Sequence, residues 1–143
     1  MRWMLLLLLA ALLVAGCASA GADRPTEAMH LIYLHGRIVQ VQQNLRPQHP
    51  DYGYYEMEQI RSALRERGFV LLSEVRPEGT TVDEGADRLV EQVRNLMRSG
   101  VPADRIAILG ASMGAAISLR ASARLQNPDI RFALLGPCLA TSV

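Results

Sequence analysis

The chain has 143 residues, a length that fits one domain, and its formal net charge is +1. All fifteen basic residues are arginines, and a nearly neutral chain with few aromatic rings predicts no nucleic-acid partner. The two cysteines are too few for a disulfide framework and match no structural zinc spacing, so we expect no metal. The sequence has no phosphate-binding glycine motif, and we expect no cofactor.

The first residues have the pattern of a secretory signal. Arg2 precedes a continuous apolar run over residues 4–14, shorter than the roughly 20 residues that a membrane-spanning helix needs. The run ends at Val14-Ala15-Gly16-Cys17, which resembles the bacterial lipobox. The resemblance implies cleavage before Cys17 and a membrane anchor of several acyl chains on that residue. Residues 1–16 are then the signal peptide, and the small, polar residues 17–27 are a tether.

Ala18 bears on the location of the protein, because it follows the candidate lipidated cysteine. By resemblance to known lipoprotein sorting, a residue other than Asp at this position favours the outer membrane of the bacterial envelope, with the domain facing the periplasm. The alternative is an ordinary signal peptide that is cleaved at Ala18-Ser19-Ala20.

After the tether, short apolar runs alternate with amphipathic stripes. We predict strands over residues 29–34, 69–75, 105–109 and 130–135, helices over 52–67, 83–99 and 112–126, and a loop over 37–50. The order β-α-β-α-β-α-β with short links predicts an α/β fold, with a parallel sheet of about four strands and helices on both faces.

A candidate nucleophile lies between the third predicted strand and the helix that follows it. The residues Gly110-Ala111-Ser112-Met113-Gly114 have the G-x-S-x-G pattern of a nucleophile elbow. The turn is so sharp that the residues flanking Ser112 must be small, and Gly110 and Gly114 meet that need. Ser112 would lie at a helix N-terminus, where the dipole and the Met113 N–H stabilise an oxyanion. The alternatives are a chance pentapeptide and a dinucleotide-binding loop, which needs glycine at position 112.

A second candidate element follows the first predicted strand, where the chain reads His35-Gly36. In α/β-hydrolases, which this arrangement resembles, an HG pair in this place helps to build the oxyanion hole, and the resemblance implies that the second N–H comes from Arg37 or from Gly36. His35 itself would support the loop structure. The alternative is a plain turn that ends the strand.

These segments together resemble the α/β-hydrolase family. The resemblance is carried by YLHG, RGFVLLSEVRP and GVPADRIAILGASMGAAISL, and it covers roughly residues 29–137. It implies a serine hydrolase of the esterase, lipase or peptidase kind, which acts by acyl transfer on a small-molecule ester or amide. Arg46-Pro47 and Tyr55-Glu56 look like bacterial members of this family. We assign no role to Tyr55 or Glu56 and favour helix N-terminal charge and packing for both.

The acid and the histidine of a triad are not found where the resemblance puts them. In this fold the chain order is nucleophile, acid, histidine. After Ser112 the sequence has one acidic residue, Asp129, which precedes a strand and is expected to be a solvated turn residue, and it has no histidine. A triad in a new order, with His35 or His49 beside Asp51, is an alternative. His30 starts a strand, at the opposite end of the sheet.

The last predicted strand also indicates a truncated domain, because it is apolar and is expected at a sheet edge that further strands would cover. We therefore expect residues 28–143 to be the N-terminal portion of a hydrolase domain, truncated after the sixth strand of the usual fold and inactive as it stands.

Two other functions remain open. One is a lipoprotein that binds a ligand or partner on the same scaffold without turnover. The other is a flavodoxin-like nucleotide-binding module, although the phosphate-cradling glycines are missing. Cys138, just after the last strand, is expected to be a small buried hydrophobe.

Overall fold

Four parallel strands form the centre of the fold in the computed structural model, which describes residues 28–136. In chain order the elements are β1 His30–Leu34, α1 Arg37–Gln42, β2 Gln48–His49, β3 Gly53–Tyr54, α2 Met57–Glu66, β4 Val70–Leu72, α3 Val82–Arg98, a 3₁₀ turn Ala103–Arg105, β5 Ile106–Ala111, α4 Met113–Leu125 and β6 Arg131–Leu135. The predicted signal peptide 1–16, the tether 17–27 with Cys17, and Cys138 lie outside the described residues.

The four strands are ordered β4-β1-β5-β6. The chain moves from β1 to one side of the sheet, returns across it to β5, and then continues outward to β6. β1 and β5 are therefore the neighbours at which the direction of winding reverses. In open α/β sheets ligands bind at such a switch point, outside the carboxyl ends of the strands. His35 and Ser112 follow these two strands directly.

Helices cover both faces of the sheet, which confirms the predicted α/β class. On one face α3 and α4 pack against β1 and β5 through Val90, Val93, Ile117, Ile32 and Ile108. On the other face the shorter helices α1 and α2 bury Val39 and Met57 against Tyr33 and its neighbours.

The sequence of α3 explains its sharp N-terminus. The Thr81 hydroxyl accepts the backbone N–H of Glu84, and the Glu84 carboxylate accepts the backbone N–H of Thr81. This capping box satisfies two N–H groups that the helix itself leaves unpaired. The Thr81 backbone N–H and the Thr81 hydroxyl both donate to the Glu84 carboxylate, and they hold the pKa of Glu84 below its usual value.

Two predicted elements between β1 and β4 were wrong. Residues 37–50, predicted to be a loop because of Pro47 and Pro50, contain α1 and β2. Both prolines lie beyond the helix, so they do not prevent it. The helix predicted from Tyr52 begins at Met57, because Gly53, with φ of 75°, turns the chain into a hairpin of β2 and β3. The remaining predicted strands and helices are present, with ends shifted by a few residues.

Within residues 28–136, no helix is both long and apolar enough to cross a membrane. As predicted, β6 lies at an edge of the four-stranded sheet, where β5 is its neighbour.

Candidate active site

Ser112 lies in the sharp turn that joins β5 to α4, and it is partly exposed. Its φ of 52° and ψ of −116° fall outside the regions that residues with a Cβ normally adopt. Holding a serine in such a conformation costs about 1–3 kcal/mol, which the surrounding structure must offset. Strained backbone of this kind is concentrated at functional sites, and here it falls on the predicted nucleophile.

Gly110 and Gly114 occupy positions where a side chain would not fit. A Cβ on Gly110 would lie 2.4 Å from the carbonyl oxygen of Gly114, and a Cβ on Gly114 would lie 2.1 Å from that of Leu34. The two glycines therefore permit two different close contacts. Gly110 lets the first turn of α4 fold back on β5, whereas Gly114 lets α4 approach the end of β1. The sequence argument attributed both to the sharp turn alone.

The loop after β1 reaches the elbow because Leu34 and Gly110 are register partners in the sheet. A Cβ built on Gly36 would lie 3.6 Å from the Cβ of Ser112, so the two residues are in close proximity. Arg37 and Met113 are the first residues of α1 and α4. The first N–H groups of a helix have no partner within it. The residues predicted to form the oxyanion hole are therefore Gly36, Arg37 and Met113. Arg37 and Met113 each begin a helix, and all three lie close to Ser112.

His35 is fully buried in this loop, and both of its ring nitrogens are engaged. Nδ1 lies 2.8 Å from the carbonyl oxygen of Gly36, and Nε2 accepts the backbone N–H of Arg76 over 3.0 Å. An imidazole that accepts at Nε2 carries its proton on Nδ1 and is neutral. Burial lowers the pKa of His35 to about 4, which agrees with that form. His35 holds the loop and has no nitrogen left to act as a base for Ser112.

Arg76 is a buried cation behind the same loop. Its Nη2 donates to the carbonyl oxygen of His35 over 2.6 Å, and its Nε donates to Gln40 Oε1 over 3.0 Å. Gln40 donates in turn to the carbonyl oxygen of Thr80 over 2.9 Å. Burial lowers the pKa of Arg76 to about 10, so the guanidinium stays charged at neutral pH.

This network orients the peptide groups of the loop. The carbonyl oxygens of His35 and Gly36 are held by Arg76 and by the His35 ring, respectively. In a trans peptide the N–H points opposite to the C=O. The N–H groups of Gly36 and Arg37 therefore point away from those two partners.

Arg76 was not predicted as a site residue from the sequence. The available signal was a charged residue directly after the predicted strand 69–75, because the carboxyl ends of parallel strands share one edge of the sheet.

Tyr55 and Glu56 have identifiable contacts. The Tyr55 hydroxyl contacts the hydroxyl of buried Tyr33, and burial, together with this hydrogen bond, raises the pKa of Tyr33. A Cβ on Gly36 would lie 3.8 Å from Tyr55 Cε2, so the Tyr55 ring packs against the loop. Glu56 accepts from Arg46 Nε at 2.8 Å and is the N-cap residue of α2. Both residues fit the packing and helix-end roles that the sequence argument favoured.

Two cavities open at the carboxyl edge of the sheet, and Arg37 lines both. The first, about 490 Å³, contains Ser112 and is lined by Gly36, Arg37, Ile38, His49, Tyr52, Gly53, Tyr54 and Tyr55. The second, about 780 Å³, adjoins Met113 and is lined mainly by residues of α1 and of the segment before α3. The volume of the first lies in the range of small-molecule sites.

His49 lines the same cavity as Ser112, but its contacts oppose a role as base. The backbone N–H of Asp51 donates to His49 Nδ1 over 3.1 Å, so the neutral ring carries its proton on Nε2. The Asp51 carboxylate lies 3.9 Å from the same Nδ1, which is too long for a hydrogen bond. His30 begins β1 at the opposite end of the sheet, and Asp129 is an exposed turn residue before β6, as predicted.

Residues 28–136 contain no cluster of His, Cys, Asp and Glu side chains that could hold a metal ion. Comparison with protein-family models, with curated proteins and with solved structures finds no match to this chain. The chemistry of the site must therefore be inferred from its own residues.

Proposed function

We propose that the protein is a serine hydrolase of the α/β-hydrolase type, acting by acyl transfer on a small-molecule ester or amide. One observation carries the proposal: Ser112 adopts a strained conformation, with φ of 52°, at the switch point of a parallel sheet and beside the backbone of Gly36. A turn that merely connects a strand to a helix needs no such strain on a residue with a Cβ. A partly exposed nucleophile that is held beside the starts of two helices does need this conformation.

The reaction follows from this arrangement. Ser112 Oγ attacks the substrate carbonyl carbon, its proton passes to a base, and the carbonyl oxygen becomes an oxyanion held by the N–H groups of Met113 and of Arg37 or Gly36. The intermediate then breaks its bond to the leaving oxygen or nitrogen, which takes the proton from the base. Water attacks the acyl-serine by the same route, releasing an acid and restoring Ser112.

Neither His35 nor His49 is arranged to act as the base for Ser112. His35 is committed at both nitrogens, and His49 presents Nε2–H, which donates and does not accept. A serine without a base is a poor nucleophile at neutral pH. His49 would serve only if the hydrogen bond from Asp51 broke and the proton moved to Nδ1.

A fluorophosphonate probe tests the proposal, since it reacts with activated serines. Labelling of the full chain at Ser112, after extraction from bacterial membranes in mild detergent, would support the proposal and would show that a group of this chain activates the serine, contrary to the inactivity expected from the sequence. Ser112→Ala should abolish the label, whereas Ser122→Ala, on the same helix, should retain it. His49→Gln should leave the label unchanged if the base is another group. A folded protein that is not labelled would contradict a hydrolase and favour a ligand-binding role for the same cavity.

We further propose that lipid on Cys17 anchors the protein to the outer membrane, with the domain in the periplasm. The support is the apolar run over residues 4–14, which ends in the lipobox-like Val14-Ala15-Gly16-Cys17. Residues 18–27 would then separate the anchor from the start of β1.

A further inference from the structure

The hairpin of β2 and β3, residues 48–54, brings aromatic rings to the nucleophile. His49, Tyr52 and Tyr54 come from this hairpin, Tyr55 follows it, and all four line the cavity that contains Ser112. Tyr52 is 86% exposed and Tyr54 is 50% exposed. Large rings left in water beside a nucleophile indicate a surface that a ligand covers.

Each of the two exposed rings contacts a neighbouring side chain, so the rings need little reorganisation when a ligand binds. The Tyr52 ring lies against the His49 ring, with 4.7 Å between centroids and a tilt of 32°. The Arg46 guanidinium lies 3.8 Å from the centroid of the Tyr54 ring and is held by its ion pair with Glu56. Each ring is therefore positioned by a neighbour of its own.

The base of the hairpin is tied to the rest of the domain. The backbone N–H of Tyr55 donates to the carbonyl oxygen of Pro47 over 2.9 Å, and that of Met57 donates to Leu45 over 3.1 Å. Pro47 and Met57 are themselves fully buried. A pre-positioned aromatic surface loses less conformational entropy when it binds a ligand.

We propose that this surface binds a planar aromatic ring of the substrate, next to the carbonyl group that Ser112 attacks. The inference rests on the proposed function, and it names the substrate class as aryl esters or aryl amides. Offset or edge-to-face packing of such a ring against Tyr52 and Tyr54 would cover their exposed area.

The lining argues against two other ester classes. A long alkyl chain would pack best against several aliphatic side chains, whereas the lining that the structure describes for this cavity includes one, Ile38. A sugar ring carries several hydroxyl groups that carboxylates and amides bind well, and the lining of this cavity includes no Asp, Glu, Asn or Gln.

Binding to the full-length Ser112→Ala variant tests the inference without depending on turnover. The ligands are N-(2-naphthyl)acetamide and its fully saturated decahydronaphthyl analogue, which share a carbon skeleton, and equilibrium dialysis gives each Kd. We expect the naphthyl compound to bind about tenfold more tightly. Tyr52→Leu and Tyr54→Leu should each reduce that preference by about threefold to tenfold. Val70→Thr, on an exposed side chain of β4 paired with His30, should retain it.

Equal affinity for the two compounds, or a preference that survives both tyrosine substitutions, would overturn the inference. Both rings are exposed, so loss of folding is not an expected cause of weaker binding. Failure of this inference can be distinguished from failure of the hydrolase proposal. Labelling of wild-type Ser112 without a ring preference rejects the aryl substrate alone, whereas a ring preference without labelling rejects the hydrolase and leaves a ring-binding cavity.

Discussion

At the scale of single residues, Ser112 is under opposing demands from stability and chemistry. Its backbone angles suit glycine better than serine, but the proposed acyl transfer needs a nucleophilic side chain, which glycine lacks.

Replacing Ser112 by glycine should therefore stabilise the fold relative to replacement by alanine. Both variants lack the hydroxyl, so they differ in strain and in the freedom of the unfolded chain. Relief of about 1–3 kcal/mol exceeds the entropy penalty of glycine, so we expect a net gain of about 1 kcal/mol for Ser112→Gly over Ser112→Ala. Urea denaturation measures the difference. Ala116→Gly, within α4, should instead lose about 1 kcal/mol; a stability for Ser112→Gly below that of Ser112→Ala would refute the strain argument.

The lowered pKa of His35 predicts that the stability of the fold depends on pH. Its pKa is about 4 in the folded protein and 6.5 ordinarily, so between these values the unfolded chain binds more protons. Stability is then complete above pH 6.5 and falls as the pH drops toward 4, by roughly 3 kcal/mol for this buried ring.

Thermal melts across that range, with His35→Gln and His30→Gln compared with wild type, measure the contribution. His35→Gln should flatten the dependence between pH 6.5 and 4.5. His30→Gln, at the start of the same strand, should keep it. An unchanged slope in His35→Gln would mean that the ring is not held neutral.

At the scale of elements, the elbow depends on backbone contacts between α4 and the strands beneath it. A Cβ on Gly114 would meet the carbonyl oxygen of Leu34 at 2.1 Å, whereas a Cβ on Gly85 in α3 would meet Ile117 Cδ1 at 2.7 Å. A strand carbonyl cannot move aside, but the end of an isoleucine side chain can.

We therefore expect Gly114→Ala to destabilise the protein by about 3 kcal/mol or more and to abolish fluorophosphonate labelling. Gly85→Ala should change stability by less than about 1 kcal/mol, because the better helix propensity of alanine offsets part of the overlap. Chemical denaturation and labelling of the two variants side by side provide the measurement. Similar losses in both would argue against a specific contact between α4 and β1.

The elements that could be predicted from sequence are those whose residues encode burial directly. β1, β5, α3 and α4 carry apolar patterns that match their burial, and the spacing of Gly110, Ser112 and Gly114 marked the elbow. α1 was missed because its six residues are too few to show a helical period, although Ile38, Val39 and Val41 are apolar. The hairpin was missed because its strands are two residues each, too short for any periodicity.

The polar network behind the site is a tertiary property. Arg76 and His35 are far apart in the chain, and their contact arises only once β4 and β1 are paired. The tautomers of His35 and His49 likewise depend on single backbone N–H groups. The sequence can supply these residue types but not the direction of their hydrogen bonds.

At the scale of the whole molecule, the topology gathers the loop after β1, the segment after β4 and the elbow after β5 at one edge of the sheet. The proposed anchor enters from the other end, because β1 begins there, and so the cavity would face away from the point where the tether joins the domain.

The anchor can be tested with the full chain. Cys17→Ser should prevent incorporation of radiolabelled palmitate and release the protein from the membrane fraction, because several acyl chains at one residue are needed for stable attachment. Cys138→Ser serves as the matched control and should remain lipidated and membrane-bound. Lipid on the Cys17→Ser protein would exclude the lipobox interpretation, and an unlipidated wild type cleaved after Ala20 would favour an ordinary signal peptide.

The hydrogen bond from the backbone N–H of Ser112 to the carbonyl oxygen of Leu135, at 2.8 Å, links the elbow to the edge strand β6. Edge segments open locally at lower free energy than central ones, and Leu135, 57% exposed, ends this strand. Amide exchange at Ser112 should therefore follow the fraying of β6 rather than the slower opening of β5. Anything that pairs along β6 would slow that fraying, and it would therefore also slow exchange of the Ser112 amide beside the proposed site.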